Sequence, residues 1–460
     1  MHYIKNIIKY TGIIIFILLL ALPTFEGLSP EGQRALAVFV LIMTFWLTNI
    51  MPLAITSLLG MALMPLLNIM SVDNTFALFG NKAIFFILGA LIISAALYYT
   101  GLGSRMAFSL IKVFGNTPRK LLAGTLLTAA LMSCLMPEHA VAALLFPIVM
   151  EIALSLELKP LESSYGKLLF LSMAWGAIIG GITTYLGGSR NLLAVSILEQ
   201  QYNMSIGFFE WIKYSWPIPT LMLLFFIFLI WKYFKIELDN IDKAYQVLEE
   251  KLAEKGSLSF DEKKLIATLA LIIFSWLFLA QIIHISVTAV IGAVLIFVLK
   301  IVAWREIEEY VNWGIIIMYG GAIVVATSLV ETGATAWLSN QIFSRLDLSI
   351  FWFLALLALF TILLTEGVSN VAAVAVILPI AFSISDIYQL NPIIITLSVA
   401  LPGGLAFMFP MGTPPNAIAF SSGYYKIEDS VKLGIILNIA GWFVYILVLK
   451  FYWPLLGLTF

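Results

Sequence analysis

Charge is what this sequence has least of. Only 11% of its 460 residues are Asp, Glu, Lys or Arg, while 62% are hydrophobic and the mean hydropathy is +1.03. A soluble domain carries about a quarter of its residues charged. The chain therefore has almost nothing with which to cover a water-facing surface, and lipid must be its solvent. Cysteine is nearly absent as well. Cys134 stands alone, which excludes an intrachain disulfide and a thiolate metal centre. The three histidines, His2, His139 and His284, share no helical spacing, so no His-built metal site is expected. His284 lies at the end of an apolar run and reads as interfacial. The net charge of −1 argues against a nucleic-acid partner.

What is present is a succession of apolar runs of spanning length or nearly so. They fall at roughly 11–25, 34–50, 52–70, 82–100, 119–157, 167–199, 212–231, 264–283, 286–302, 313–331, 350–389, 391–423 and 431–453. Lys5 and Lys9 before Ile13 to Leu20 resemble a signal peptide, but no small-x-small cleavage site follows cleanly, so a retained first helix is expected. Two runs are interrupted, at Pro137-Glu138-His139 and at Ser369-Asn370. Each is followed by a run broken at Gly187–Asn191 or at Gly412–Asn416. Broken hydrophobic segments at matching places in two halves point to a transporter binding site. Non-helical backbone at membrane depth survives only against protein or a water-filled cavity.

Reading 119–157 and 350–389 as re-entrant hairpins gives an all-α polytopic membrane protein of about eleven transmembrane helices plus two hairpins. The positive-inside rule then places the N-terminus in the cytoplasm and the C-terminus outside. Most Lys and Arg fall on the cytoplasmic face. Arg34, Lys82, Lys213, Arg345 and Lys450 fall on the other, and Arg190 falls inside the membrane. A lysine-rich stretch at 232–263 carries Ile241, Tyr245, Leu248 and Leu252 at helical spacing and reads as a cytoplasmic amphipathic linker. The expected organisation is an N-terminal helix at 1–33, a first inverted repeat at 34–231, this linker, and a second inverted repeat at 264–460.

The repeat is visible in residues. At an offset of 232, Gly89 falls on Gly321, Thr100-Gly101 on Thr332-Gly333, Ala140 and Ala143 on Ala372 and Ala375, and Pro147-Ile148 on Pro379-Ile380. Beyond a shorter loop the offset is 225, and Gly187 and Asn191 fall on Gly412 and Asn416. Such halves exchange conformations to open a central site to either side of the membrane. The sharpest stretch is Phe409 to Phe420. Gly412 frees the backbone, and Pro414-Pro415 remove two amide donors, leaving carbonyls with the Thr413 hydroxyl and the Asn416 amide. Carbonyls suit a hard cation, and helix N-termini suit a carboxylate. Ser369 and Asn370 at the second tip offer a hydroxyl and an amide to an anion, or to a hydrogen bond between helices.

On these motifs the sequence resembles the divalent anion:sodium symporter family of dicarboxylate, citrate and sulfate carriers. That family places Ser-Asn-Thr at each hairpin tip and a Gly-Thr-Pro-Pro-Asn-like loop in each broken helix. Here Ser369-Asn370-Val371 matches the second tip with Val for Thr, and Gly412-Thr413-Pro414-Pro415-Asn416 matches the second loop fully. The first half departs from the pattern, with Pro137-Glu138-His139 at the tip and Gly187-Gly188-Ser189-Arg190-Asn191 in the loop. The resemblance implies a homodimer with an elevator-like transport domain. It places the substrate on Ser369, Asn370, Val371, Thr413, Pro414, Glu138, His139, Ser189 and Arg190. It places coupling ions on Ser133, Glu138, Gly187, Asn191, Glu366, Asn370, Gly412 and Asn416, with sodium at Gly412, Asn416 and Asn370 and no other cofactor.

Charge at mid-membrane costs about 2.5–3.5 kcal/mol on insertion scales, so it is paired and functional as a rule. Four readings of the first-half charges stand open. Arg190, with His139, supplies the fixed charge that sodium supplies elsewhere. Glu138 takes up the coupling proton. Glu138 and Arg190 form a buried pair that holds the tip. Glu138 strengthens a sodium site. Glu366 reads equally as a coupling or cation-binding group and as a residue near a water-filled hairpin base. The expected function is secondary transport of a small anion, a C4-dicarboxylate first and sulfate or another oxyanion second. A cation/proton antiporter is disfavoured because 187–191 and 412–416 hold no acid. A membrane enzyme is disfavoured because no spacing such as H-E-x-x-H occurs.

Overall fold

A computed structural model of the chain describes residues 2–48, 50–234, 236–280, 282–343 and 349–459. Arg345 lies outside these residues. Among the described residues the structure is helical and contains no strand. The first half runs α1 (His2–Ala21), α2 (Pro30–Thr48), α3 (Leu53–Leu66), α4 (Val72–Ala77), α5 (Lys82–Tyr99), α6 (Leu102–Phe114), α7 (Pro118–Ser133), α8 (Glu138–Ser155), α9 (Ser164–Gly180), α10 (Ser189–Tyr202), α11 (Phe208–Ser215) and α12 (Pro217–Lys232). The linker holds α13 (Asp242–Glu254). The second half runs α14 (Phe260–Phe278), α15 (Ile285–Val298), α16 (Trp304–Ile307), α17 (Trp313–Glu331), α18 (Ala334–Phe343), α19 (Ile350–Gly367), α20 (Asn370–Tyr388), α21 (Pro392–Ala400), α22 (Pro414–Ser421), α23 (Ile427–Leu447) and α24 (Trp453–Leu455).

Hydrocarbon offers the backbone no partners, so each apolar run satisfies its own amides as a helix. Polar residues at the ends fix where several helices start. The Asn81 side chain accepts from the amide of Ala83, and the Thr117 hydroxyl from that of Lys120. Thr100-Gly101 and Thr332-Gly333 end α5 and α17 alike, with both glycines left-handed at φ 76° and 74°. Gly89 and Gly321 also act in parallel. A Cβ on Gly89 would stand 2.7 Å from the Ala289 carbonyl, and one on Gly321 would stand 2.4 Å from Ser57 Cβ. These glycines let α5 close on α15 and α17 close on α3, so each half lends a helix to the other.

Among the described residues, five helical stretches are each long and apolar enough to cross a membrane: Val72–Tyr99, Glu138–Ser155, Trp313–Glu331, Ile350–Gly367 and Ile427–Leu455. The pair Phe208–Ser215 and Pro217–Lys232, bent by 42°, makes a sixth if counted as one. Leu53–Leu66, Ile285–Val298 and Pro392–Gly404 are shorter apolar helices. The crossings counted from the sequence thus include helices shorter than a hydrocarbon core, and two of the long ones, α8 and α19, are arms of the expected hairpins.

The linker helix α13 lies on α6 and α8 with Ala244 and Leu248 buried. Ion pairs flank it, Lys112–Glu249 at 2.9 Å, Lys243–Glu157 at 2.6 Å and Lys251–Glu151 at 3.4 Å. Beyond it, Arg105 grips Glu262 at 2.8 Å and the carbonyls of Lys255 and Gly256.

Candidate functional site

Four interruptions in the helices build the site, and each overlaps a break expected from the sequence, although the two longer ones begin six and eleven residues earlier than Gly187 and Gly412. α7 gives way to α8 at 134–137, and α19 to α20 at 368–369. α9 gives way to α10 at 181–188, and α21 to α22 across 401–413, with one tight turn at Pro402–Gly404. The first turns of α8, α10, α20 and α22 meet at one cavity of about 360 Å3. Glu138, His139, Ser189, Arg190, Ser369, Asn370, Val371 and Pro414 line it, with Gly187 between them. The N-cap residues Pro137, Gly188 and Ser369 offer no side-chain cap to α8, α10 and α20. Uncapped helix N-termini present amide hydrogens and the positive end of the dipole, which together favour an anion.

The two broken helices are held by the same device. Asn191, fully buried, donates through Nδ2 to the carbonyls of Gly181 at 2.9 Å and Thr184 at 2.7 Å. Asn416 donates to the carbonyls of Ala406 at 3.0 Å and Phe409 at 3.3 Å. These carbonyls are related by the same offset of 225 that relates the asparagines. Thr413 caps α22 by accepting from the Asn416 amide. The tips dock onto these loops in turn. The Glu138 amide donates to the Gly187 carbonyl at 2.9 Å. Asn370 donates to the Gly412 carbonyl at 3.3 Å when its amide is turned so that the oxygen faces Arg190. The opposite assignment would set two donors against each other. In this orientation Asn370 also donates to the Thr365 hydroxyl, which passes its own proton to the Gly403 carbonyl at 3.1 Å.

Arg190 is the point at which the halves meet. Its side chain is 1% exposed. Nη1 donates to Glu138 Oε2 at 3.1 Å and to the Asn370 oxygen at 3.3 Å, so one guanidinium joins both tips. Nε and Nη2 have no acceptor among the described residues. The guanidinium lies against Gly404, where a Cβ would stand 2.3 Å from Nη2 and 2.6 Å from Nε.

Glu366 does not line the cavity. Its carboxylate accepts from the amides of Phe407 at 2.6 Å, Met408 at 2.9 Å and Phe409 at 3.1 Å, and from Asn438 Nδ2 at 2.6 Å. The unwound loop before Gly412 is thus wrapped around one carboxylate. At the matching place in the first half stands Cys134, whose thiol donates to the Ala130 carbonyl at 3.4 Å. Like Glu366, Ser133, Asn191, Gly412, Thr413 and Asn416 do not line the cavity. The Ser133 hydroxyl, fully buried, has no partner among the described residues.

A family model described as the sodium:sulfate symporter transmembrane region matches residues 4–459. The chain belongs to that family. It is the divalent anion:sodium symporter family whose tip and loop motifs the sequence carries, and its members are transporters, not enzymes. The sodium-dependent dicarboxylate transporter SdcS of Staphylococcus saprophyticus is 27% identical over 475 residues, which cover 96% of this chain and 90% of that protein. SdcS of Staphylococcus aureus is 27% identical over 474 residues with the same coverage. Among solved structures, the Alcanivorax borkumensis YdaH transporter superposes with a TM-score of 0.60 at 12% identity, over 91% of this chain and 99% of that one. Neisseria gonorrhoeae MtrF superposes with a TM-score of 0.57 at 12% identity, over 95% and 96%. At that identity the likeness shows the fold alone. Family membership and the apolar helices make the protein a multi-pass membrane transporter.

Three parts of the site escaped the sequence reading. Pro52, Leu53 and Ala54 before and in α3, with Asn312, Gly314, Ile315 and Met318 at the start of α17, form the facing wall. Their signal was faint: Asn312 caps α17 as Asn81 caps α5, one residue out of the 232 register. Gly404 and Asn438 also went unselected. Neither carries a motif, and only their contacts with Arg190 and Glu366 give them a role.

Proposed function

We propose that this protein carries a C4-dicarboxylate across the inner membrane by alternating access. One carboxylate is held by Ser369, Asn370 and the N-terminus of α20. The other is held by Ser189, Arg190 and the N-terminus of α10. The observation that carries this reading is Arg190, the one Lys or Arg lining the cavity among the described residues, buried between both tips with Nε and Nη2 unused. The names of the SdcS relatives support the substrate class and sodium dependence. A cavity of about 360 Å3 falls in the range of small-molecule sites.

The halves divide the coupling between them. Sodium binds in the second half near Gly412, Asn416 and Asn370, where carbonyls and amides are uncharged. In the first half the Arg190 guanidinium holds the place of a second cation, with Glu138 and Asn370 fixing it. His139, half-buried at the cavity wall, adds a polar contact from the first tip. We read α7–α8 and α19–α20 as re-entrant hairpins of inverted repeats that slide, elevator-like, against α3 and α17 in each subunit of a homodimer. The position of the cavity between these two groups of elements supports that reading. The N-terminus is then cytoplasmic and the C-terminus outside.

The test is uptake of radiolabelled succinate into liposomes, with and without a sodium gradient and with internal succinate. Sodium-driven uptake is expected. Uptake only against internal succinate would make the protein an exchanger in which Arg190 is the sole cation. Sulfate is the second reading, favoured by the description of the matching family model. Uptake of sulfate without uptake of succinate would replace the dicarboxylate.

A further inference from the structure

A second cavity, of about 410 Å3, shares no lining residue with the first and opens where α12 ends before the linker and α9 and α23 begin. Its rim is polar, formed by Ser164, Lys167, Asp429 and Lys432. Its floor is apolar, formed by Leu168, Phe234, Leu433 and Ile436. Lys167 Nζ lies 2.7 Å from Asp429 Oδ1. The other oxygen of Asp429 accepts from the Lys426 amide at 3.1 Å. The carboxylate is thereby engaged on both sides. The Lys432 ammonium is exposed, and among the described residues it has no carboxylate within 4.0 Å. Two ammonium groups thus face one occupied carboxylate at the cavity mouth.

The surroundings identify the kind of ligand. One helical turn below Lys432, Ile436 is exposed, and Ile439 and Phe443 continue that exposed apolar track down α23. Trp231 and Tyr233 stand exposed at the end of α12, the type of residue that marks the headgroup level. Excess positive charge at headgroup level above an apolar track is the complement of a phosphate above an acyl chain. A soluble anion would make no use of the floor or the track.

We infer that this cavity binds the headgroup of an anionic phospholipid, with its phosphate on Lys167 and Lys432 and an acyl chain along Ile436, Ile439 and Phe443. The lipid joins α9 to α23 and occupies a site separate from the transport cavity.

Native mass spectrometry of the full chain in detergent, titrated with phosphatidylglycerol, phosphatidylcholine or glycerol phosphate, tests this. Phosphatidylglycerol is expected to bind well above phosphatidylcholine. Lys432→Gln should weaken it about fivefold, the worth of one lysine at a membrane surface. Asp429→Asn, which keeps the oxygen that caps α23 while removing the negative charge, should strengthen it. That opposite sign separates a binding role from mere damage to the fold. Equal retention of the two lipids, or unchanged binding in Lys432→Gln, would overturn the inference. Glycerol phosphate displacing phosphatidylglycerol at equal concentration would also overturn it, in favour of a soluble anion.

Discussion

The two halves of this chain use one architecture and different electrostatics. At the longer break of each half an asparagine, Asn191 or Asn416, ties down two carbonyls of the unwound segment. Around the first break the remaining work is done by a buried ion pair, Glu138 with Arg190 at 3.1 Å. Around the second it is done by neutral groups, Thr365, Asn370 and Thr413, with a carboxylate set behind them at Glu366. The lesson is that an unwound helix at membrane depth needs its amides and carbonyls satisfied, but the protein is free to choose how. The first half spends its polar groups near the cavity. The second half keeps its acid out of the cavity and uses it to shape the loop.

The largest effect should come from breaking the charged side of this comparison. Arg190→Gln leaves Glu138 buried without its partner, which costs about 3–5 kcal/mol. Uptake in proteoliposomes is expected to disappear and the midpoint of thermal unfolding to fall. Glu138→Gln in the same chain should recover much of the stability, because a pair removed together leaves no bare charge. A double variant no more stable than Arg190→Gln alone would mean that the pair does not hold the tip.

Gly404→Ala attacks the same guanidinium from the second half. The new methyl would stand 2.3 Å from Nη2, so the guanidinium has to leave its place between the tips. A rise in KM of about tenfold or more is expected, in keeping with misplacement by about an ångström. Gly403→Ala is the comparison, since its methyl would meet only Val374 Cγ2 at 3.1 Å and Thr361 Cγ2 at 3.4 Å. Equal effects of the two would remove Arg190 from the explanation.

Glu366→Gln tests the neutral side. A glutamine puts an amide donor among four donors and weakens the hold on 407–409. A loss of about 2–3 kcal/mol is expected from the charged hydrogen bonds involved. Hydrogen exchange at Phe407, Met408 and Phe409 should rise in step, and protection left unchanged there would contradict the assigned contacts. The smallest effect belongs to the matching place in the first half. Cys134→Ser keeps a donor to the Ala130 carbonyl and should change stability by less than about 1 kcal/mol. A large loss there would show that the halves are more alike than their residues.

The sequence and the structure agree best where backbone chemistry is local. Pro137, Gly187, Ser369 and Gly412 each interrupt an apolar run, and a new helix starts one or two residues after each of them. Agreement ends where a role depends on a partner distant in the chain. Spacing left Glu366 open between a coupling group and a polar residue at a hairpin base. Its four donors lie on the loop before Gly412 and on α23, which no periodicity connects to it. The ion pair of Glu138 and Arg190 was one of four readings of the same charges, and only a distance distinguishes a pair from two separate groups.

The sequence by itself determined the solvent, the helical class, where the helix resumes after each break and the correspondence of the two halves. It did so because scarcity of charge, apolar run length and the lack of helix-forming ability in Gly and Pro act through neighbouring residues. The tertiary structure alone decided that four helix N-termini face one cavity, that α3 and α17 close it, and that Arg190 lies on Gly404 between the tips. Those outcomes depend on how closely helices remote in sequence approach one another. That approach is set by small residues and buried polar contacts across the packed halves, which a linear pattern does not contain.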